Sequence, residues 1–362
     1  MSYPLSAQMS EIMALTKSGR LTEATDLIQR RLDCSRLAPT EPAARCDLAP
    51  VPIALPVPHL PQQPGDKAQR EQRAQSGSSF DRRTFAGASG KLDYFVYRPK
   101  SSAGPVPLVV MLHGCSQSAE DFAHGTQMNA LADEIGFMVT YPEQPRSANM
   151  QKCWNWFRPG DQGKASGEPA LIAGITREIM ASEPIDPSRV YVAGLSAGGA
   201  AAAIMVEAFP DVYAAAGIHS GLPCGSARDM ASAFVAMQGK GKAHRPSGSQ
   251  VYVPVITFHG DRDTTVHPVN SQHIHAAWEG SPDITGLKRM TTEGVSQGGQ
   301  AYTNTQLLDA GGRSLSESWL LKGAGHAWSG GSPTGSFTDP AGPDASREML
   351  RFFLQHRVAA YD

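Results

Sequence analysis

No apolar run in this chain approaches the roughly 20 residues that span a bilayer, so no membrane span is expected. Positive charge is not in excess either, since 32 Lys and Arg stand against 34 Asp and Glu for a formal charge of −2. A phosphate backbone needs a basic field to hold it, and nucleic acid is therefore not expected as a partner. Cysteine is scarce: five are scattered through 362 residues without a CxxC spacing, which speaks against a disulfide scaffold and a structural zinc site. Cys115 and Cys153 would pair in an oxidising compartment; otherwise they are two buried thiols, the expected state in a chain that shows no signal peptide. Met1 to Arg20 carries Glu11, Lys17 and Arg20 and lacks both a basic start and a continuous apolar centre, so a cytoplasmic location is expected. No internal repeat is visible.

What is present is a globular chain, 41% hydrophobic and able to bury a sizeable core. Residues 1–37 place Met9, Ile12, Met13 and Leu15, then Leu21, Ala24, Leu27, Ile28 and Leu32, at helical spacing around Ser18-Gly19-Arg20. This pattern predicts a helical hairpin, packed on its own catalytic domain or joining two copies as a homodimer. Residues 38–79 hold eight prolines, which remove backbone donors and predict an extended linker. From residue 80 to 362 strand-like and helix-like segments alternate. That alternation predicts an α/β domain with a mainly parallel, doubly wound sheet. It opens with a hairpin over Thr84 to Arg98, and a single helix is expected over Phe122 to Ile135.

Gly194-Leu195-Ser196-Ala197-Gly198 has the G-x-S-x-G form of a nucleophile elbow, preceded by the strand run Val190 to Ala193 and followed by an Ala-rich helix. The glycines leave room where strand and helix backbones approach, and the helix N-terminus favours a developing oxyanion. A serine hydroxyl needs a base to take its proton and an acid to orient that base. Two later strands end in suitable loops: His259 to Val266, and Gly323-Ala324-Gly325-His326. The expected triad is Ser196, Asp263 and His326. Asp261, directly after the Gly260 turn, is expected to serve its own backbone. His219 and His259 end strands and read as core or turn histidines. His273 and His275 point to different helix faces and make a poor metal pair. The oxyanion donors are expected to be the Ala197 amide and, from the loop His113 to Gln117, the Cys115 amide.

These residues resemble the polyhydroxybutyrate (PHB) depolymerase family of esterases, which includes feruloyl and acetylxylan esterase-like members. The likeness rests on His113-Gly114-Cys115 with Gln117, Tyr141-Pro142, Cys153-Trp154-Asn155-Trp156-Phe157, the elbow through Gly199, His219-Ser220-Gly221, the His259 to Val266 loop and Gly325-His326-Ala327-Trp328. It implies an α/β-hydrolase fold, the same triad and oxyanion donors, and an aromatic cleft in which Trp154, Trp156 and Trp328 are either walls or core. The implied reaction is hydrolysis of PHB or other hydroxyalkanoate oligoesters, with feruloyl or acetylxylan esters as the alternative and no metal or organic cofactor. Secreted members of the family offer an extracellular location as the alternative. A non-catalytic binding protein on a hydrolase scaffold is the reading of a different class.

Overall fold

The computed structural model describes residues 77–100, 104–241, 252–279 and 286–358. The expected N-terminal hairpin and nearly all of the Pro-rich linker lie outside the described residues, as does any dimer contact made through them.

Ten strands form one sheet in the order β1-β2-β4-β3-β5-β6-β7-β10-β9-β8. Its centre is built from β4 (Met138–Glu143), β3 (Val106–Leu112), β5 (Ile185–Leu195), β6 (Ala215–His219), β7 (Val255–Gly260) and β10 (Ser314–Leu321). All five pairings among these six strands are parallel. Such strands are covered on both faces and read as near-continuous apolar runs. In β3 the alternation splits the side chains between two cores, with Leu108, Val110 and Leu112 on one face and Val109 and Met111 on the other. The first core takes in α3 (Gly167–Ser182) and α4 (Ala197–Ala208), and the second α1 (Ala119–Thr126), α2 (Met128–Ile135) and α7 (Ala345–Phe353).

Antiparallel pairs close both edges. β1 (Ser79–Gly87) and β2 (Gly90–Arg98) form the expected opening hairpin, with Gly87 opposite Gly90. At the other edge β9 (Ala301–Leu308) pairs with β10, and β8 (Lys288–Val295) pairs with β9. Sequence reading missed this second hairpin. Its outer strand, Lys-Arg-Met-Thr-Thr-Glu-Gly-Val, is largely exposed on both faces and has no buried side to impose a period of two. Its polar and charged side chains suit an edge strand that must not pair with another molecule.

The single helix expected over Phe122 to Ile135 is two. Gln127, at φ +59°, ends α1 and begins α2. The carbonyls that would continue the helix are used elsewhere: Gly125 O accepts from the Ser332 amide at 2.8 Å, and Thr126 O accepts from Ser346 Oγ at 2.6 Å. Tertiary contacts with the segment before α7 and with the first turn of α7 itself therefore overrule local periodicity. Two further helices follow β6 and β7: α5 (Met230–Met237), capped at its N-terminus by Asp229, and α6 (Val269–Glu279). A short parallel pair, β11 (Trp328–Ser329) with β12 (Thr338–Asp339), completes the described structure.

Candidate active site

Strand register brings the chemistry to one edge. Leu195 at the end of β5 pairs with His219, His219 with Phe258, and His259 and Gly260 with Leu320 and Leu321. The carboxyl ends of β5, β6, β7 and β10 thus lie side by side, where ligands collect in open α/β sheets. Ser196, Asp263 and His326 occupy the loops that leave three of these strands.

Ser196 stands between β5 and α4 with φ +58° and ψ −117°, a conformation that a non-glycine residue keeps only when its surroundings enforce it. Its amide donates to His219 O at 2.9 Å. A Cβ on Gly198 would lie 2.0 Å from Leu112 O, and one on Gly194 2.3 Å from the Gly198 backbone. Glycine is thus required at both positions by close backbone approach. Overpacking of this kind typically costs about 1–3 kcal/mol, and backbone contacts this short would exceed that.

His326 is held by Asp263. Its Nδ1 donates to Asp263 Oδ2 at 2.7 Å, which in the neutral imidazole leaves Nε2 as the acceptor nitrogen. The other carboxylate oxygen, Oδ1, accepts from the amides of Thr265 and Val266 at 2.9 and 2.8 Å. Burial by itself would raise the Asp263 carboxyl; the neighbouring His326 charge and the hydrogen bonds from His259 and His326 outweigh it and hold the group well below the usual carboxylate range. The loops that carry Asp263 and His326 are packed together through glycine again, since a Cβ on Gly260 would fall 2.4 Å from Ala324 O. Asp261 turns the other way. Its Oδ1 accepts from the Gly323 amide at 2.7 Å, which corrects the expectation that it serves its own backbone: it braces the His326 loop, and Asp263 is the aspartate that accepts from its own turn.

The loop after β3 is clamped from several sides. His113 Nε2 accepts from the Gln144 amide at 3.0 Å and its Nδ1 donates to Gly114 O at 2.8 Å, so this imidazole is neutral in the Nδ1–H form. Burial pushes it down to about 4. Gln117 Oε1 accepts from the Gly114 amide at 2.8 Å, and the Ser116 amide donates to Gln151 O at 2.6 Å. Among the described residues no protein acceptor takes the amides of Cys115 or Ala197, the two expected oxyanion donors.

Cys115 and Cys153 form a disulfide, which corrects the expectation of two buried thiols. The two residues are separated by 38 positions, so nothing local signals the pairing. Folding sets Gln151 O against the Ser116 amide and the Trp154 indole N–H against His113 O at 3.0 Å, and these contacts bring the sulfurs together. Glu168, at the start of α3, holds the far side of the same loop by accepting from the Asn155 amide at 2.7 Å. Burial, then the nearby Asp161, raises this carboxyl to about 7.

The three tryptophans expected as cleft walls or core are all buried. Trp154 is anchored on His113 O, while Trp328 stacks on His219, meets Phe122 edge-on and donates to Ser346 Oγ at 3.0 Å. Both are core residues, and their indole N–H groups find their partners inside. Trp156 packs edge-on against Phe157.

His219 is buried and has a partner, as its strand-end position suggested. Its Nε2 accepts from the Ser329 amide at 3.0 Å, and burial followed by repulsion from His259 and His326 drives it well below the ordinary histidine value. His275 bridges Thr257 and Ser316 in the core at 2.7 and 2.6 Å. Among the described residues no group of three or more His, Cys, Asp or Glu side chains is arranged to hold a metal ion. His259 is the residue whose position sequence reading did not anticipate, because it lies against Asp263 Oδ2 at 3.5 Å. Its i,i+4 spacing from Asp263 was visible, but only the turn at Gly260 folds the two together.

The chain is 34% identical over 249 residues to poly(3-hydroxyalkanoate) depolymerase C of Paucimonas lemoignei, a match covering 66% of this chain and 58% of that protein. It thus spans little more than half the length of that relative. Feruloyl esterase B of Neurospora crassa is 28% identical over 277 residues, covering 72% of this chain and 86% of the relative. Among solved structures, an acetyl xylan esterase from Aspergillus awamori superposes with a TM-score of 0.60 at 20% identity, over 76% of this chain and 99% of that one. That likeness agrees with an α/β-hydrolase fold. The family model described as "Esterase PHB depolymerase" matches residues 92–294, which takes in Ser196 and Asp263 and stops short of His326. More than half of the chain lies within that match, and the protein belongs to the PHB depolymerase family of esterases.

Proposed function

We propose that this chain hydrolyses carboxylic esters by acyl transfer through Ser196, with His326 as general base and Asp263 as the acid that orients it. The observation that carries the reading is the 2.7 Å contact from His326 Nδ1 to a carboxylate already holding two amides, at the same sheet edge as the strained Ser196. His326 Nε2 takes the hydroxyl proton as Oγ bonds to the carbonyl carbon. The amides of Ala197 and Cys115 hold the resulting oxyanion, and that neither has a protein acceptor among the described residues supports that role. The C–O bond then breaks, the leaving alcohol takes the proton from His326, and water releases the acid by the same route.

The substrate class that the relatives' names favour is a hydroxybutyrate or other hydroxyalkanoate oligoester, with feruloyl or acetyl-xylan esters second. Side-by-side turnover of hydroxybutyrate oligomers, feruloyl esters, acetyl esters, acyl thioesters and peptide anilides is expected to show esters cleaved and peptides spared. Preference for thioesters or anilides would redirect the assignment to another acyl-transfer class. No turnover of any of them, together with no fluorophosphonate adduct, would favour a non-catalytic binding protein.

The Cys115–Cys153 bridge favours work in an oxidising compartment over the cytoplasmic location read from the N-terminus. No described helix is long and apolar enough to cross a membrane. Peptide mapping without reductant, on protein from its native host, is expected to recover the two cysteines as one linked pair. Recovery of both as alkylated thiols would restore the cytoplasmic reading.

A further inference from the structure

Asp263 accepts from three donors, and a fourth polar nitrogen, belonging to neither its own turn nor the base, lies against its edge. Oδ1 takes the Thr265 and Val266 amides at 2.9 and 2.8 Å; Oδ2 takes His326 Nδ1 at 2.7 Å and has His259 Nε2 at 3.5 Å. His259 Nε2 is itself 2.8 Å from Val266 O, a carbonyl that can only accept, so this nitrogen carries a hydrogen. That N–H is bonded to the Val266 carbonyl and lies at the same time beside the edge of the carboxylate. Its ring is buried, on the residue of β7 just before Gly260, so it has little freedom to leave.

We propose that His259 is a positioning residue for the acid of the site, setting both the rotation of the Asp263 carboxylate and the charge that His326 experiences. The proposal rests on the triad reading above. Without His259, Oδ2 faces His326 alone. The carboxylate is then free to turn about the axis held by the two amides, and its full negative charge falls on the imidazole.

The sign follows. A donor on Oδ2 withdraws electron density from the carboxylate and so weakens its stabilisation of a protonated His326; removing the donor favours the imidazolium. The acid limb of kcat/KM reports the base of the free enzyme, and it should therefore move to higher pH. The other titratable groups around this cluster leave the sign intact. His219 of β6 is buried and neutral, and Asp261, Arg262 and Lys322 are exposed at the rim, as is His267 on the far side of the Asp263 turn.

The test is the pH profile of ester hydrolysis by His259→Leu, His259→Gln and His259→Asn. Gln sets a donor where Nε2 stands, and Asn does not reach it. For His259→Leu the acid limb is expected to rise by about half a pH unit or more, with kcat lower by about tenfold and KM nearly unchanged. His259→Gln should restore the wild-type limb. A leucine variant with an unmoved limb would overturn the proposal, since a merely structural histidine would lower the rate without shifting it. If His259→Leu does not fold, Gln and Asn decide the matter: a shifted limb in Asn alone supports the role, and identical limbs in the two reject it. Wild-type protein is first labelled with a fluorophosphonate. Absence of an adduct on Ser196 would fail the triad reading itself, whereas a labelled enzyme with indifferent His259 variants would fail only the present inference.

Discussion

Ser196→Ala is expected to lower ester turnover by roughly 10⁴- to 10⁶-fold and to abolish the fluorophosphonate adduct, with urea unfolding close to wild type. The size follows from chemistry: alanine has no oxygen to attack the carbonyl, and what survives is only the rate given by substrate binding and the oxyanion donors. The fold should be spared because the positive φ at this position is imposed by the Ser196 amide bond to His219 O and by the contact of Gly194 with Gly198, neither of which uses the hydroxyl. Side-by-side initial rates for the two purified proteins would decide it. A variant within tenfold of wild type would remove Ser196 from the reaction and with it the acyl-enzyme route.

Asp263→Asn is expected to cost about 10³- to 10⁴-fold in kcat, and Asp261→Asn no more than a few-fold. The two aspartates are two residues apart but have different work. At 263 the amides of Thr265 and Val266 require an acceptor at Oδ1, so asparagine must present its NH₂ to His326 Nδ1. That nitrogen then has to be the acceptor, the hydrogen moves to Nε2, and the imidazole can no longer take a proton from Ser196. At 261 the only need is an acceptor for the Gly323 amide at 2.7 Å, which asparagine retains. Equal losses in the two variants, or a larger loss at 261, would reverse the assignment of the acid.

Much of the fold was legible because parallel strands buried on both faces announce themselves. Val190 to Ala193, Leu108 to Leu112 and Val255 to Phe258 are apolar runs of strand length, separated by helix-length segments. The β8–β9 hairpin was not legible for the opposite reason, since a strand with two wet faces is held by its ladder and leaves no apolar signature. The break at Gln127 was hidden as well: Ser332 and Ser346 claim the carbonyls of Gly125 and Thr126 from more than two hundred positions away. For the site, the turn-chemistry reason for setting Asp261 aside did not hold: Asp263 is the residue that accepts from the amides of its own turn, at Thr265 and Val266, and Asp261 accepts from the distant Gly323 amide. His259 was set aside because its role lies in one ring nitrogen's distance from one carboxylate oxygen, and no local pattern encodes that.

What the sequence by itself determined is the alternation of strands and helices, the glycine-flanked serine between a strand and a helix, and the order in which Ser196, Asp263 and His326 follow their strands. These are local properties, set by burial period, by which residues can make a sharp turn, and by which side chains stand in loops. Only the tertiary structure decided that Cys115 meets Cys153, that Trp154 and Trp328 are core, and that a second histidine leans on Asp263. Each of these depends on how distant strands and loops are registered against one another. Register is fixed by the packing of the whole sheet, so it can be read only after that packing has formed.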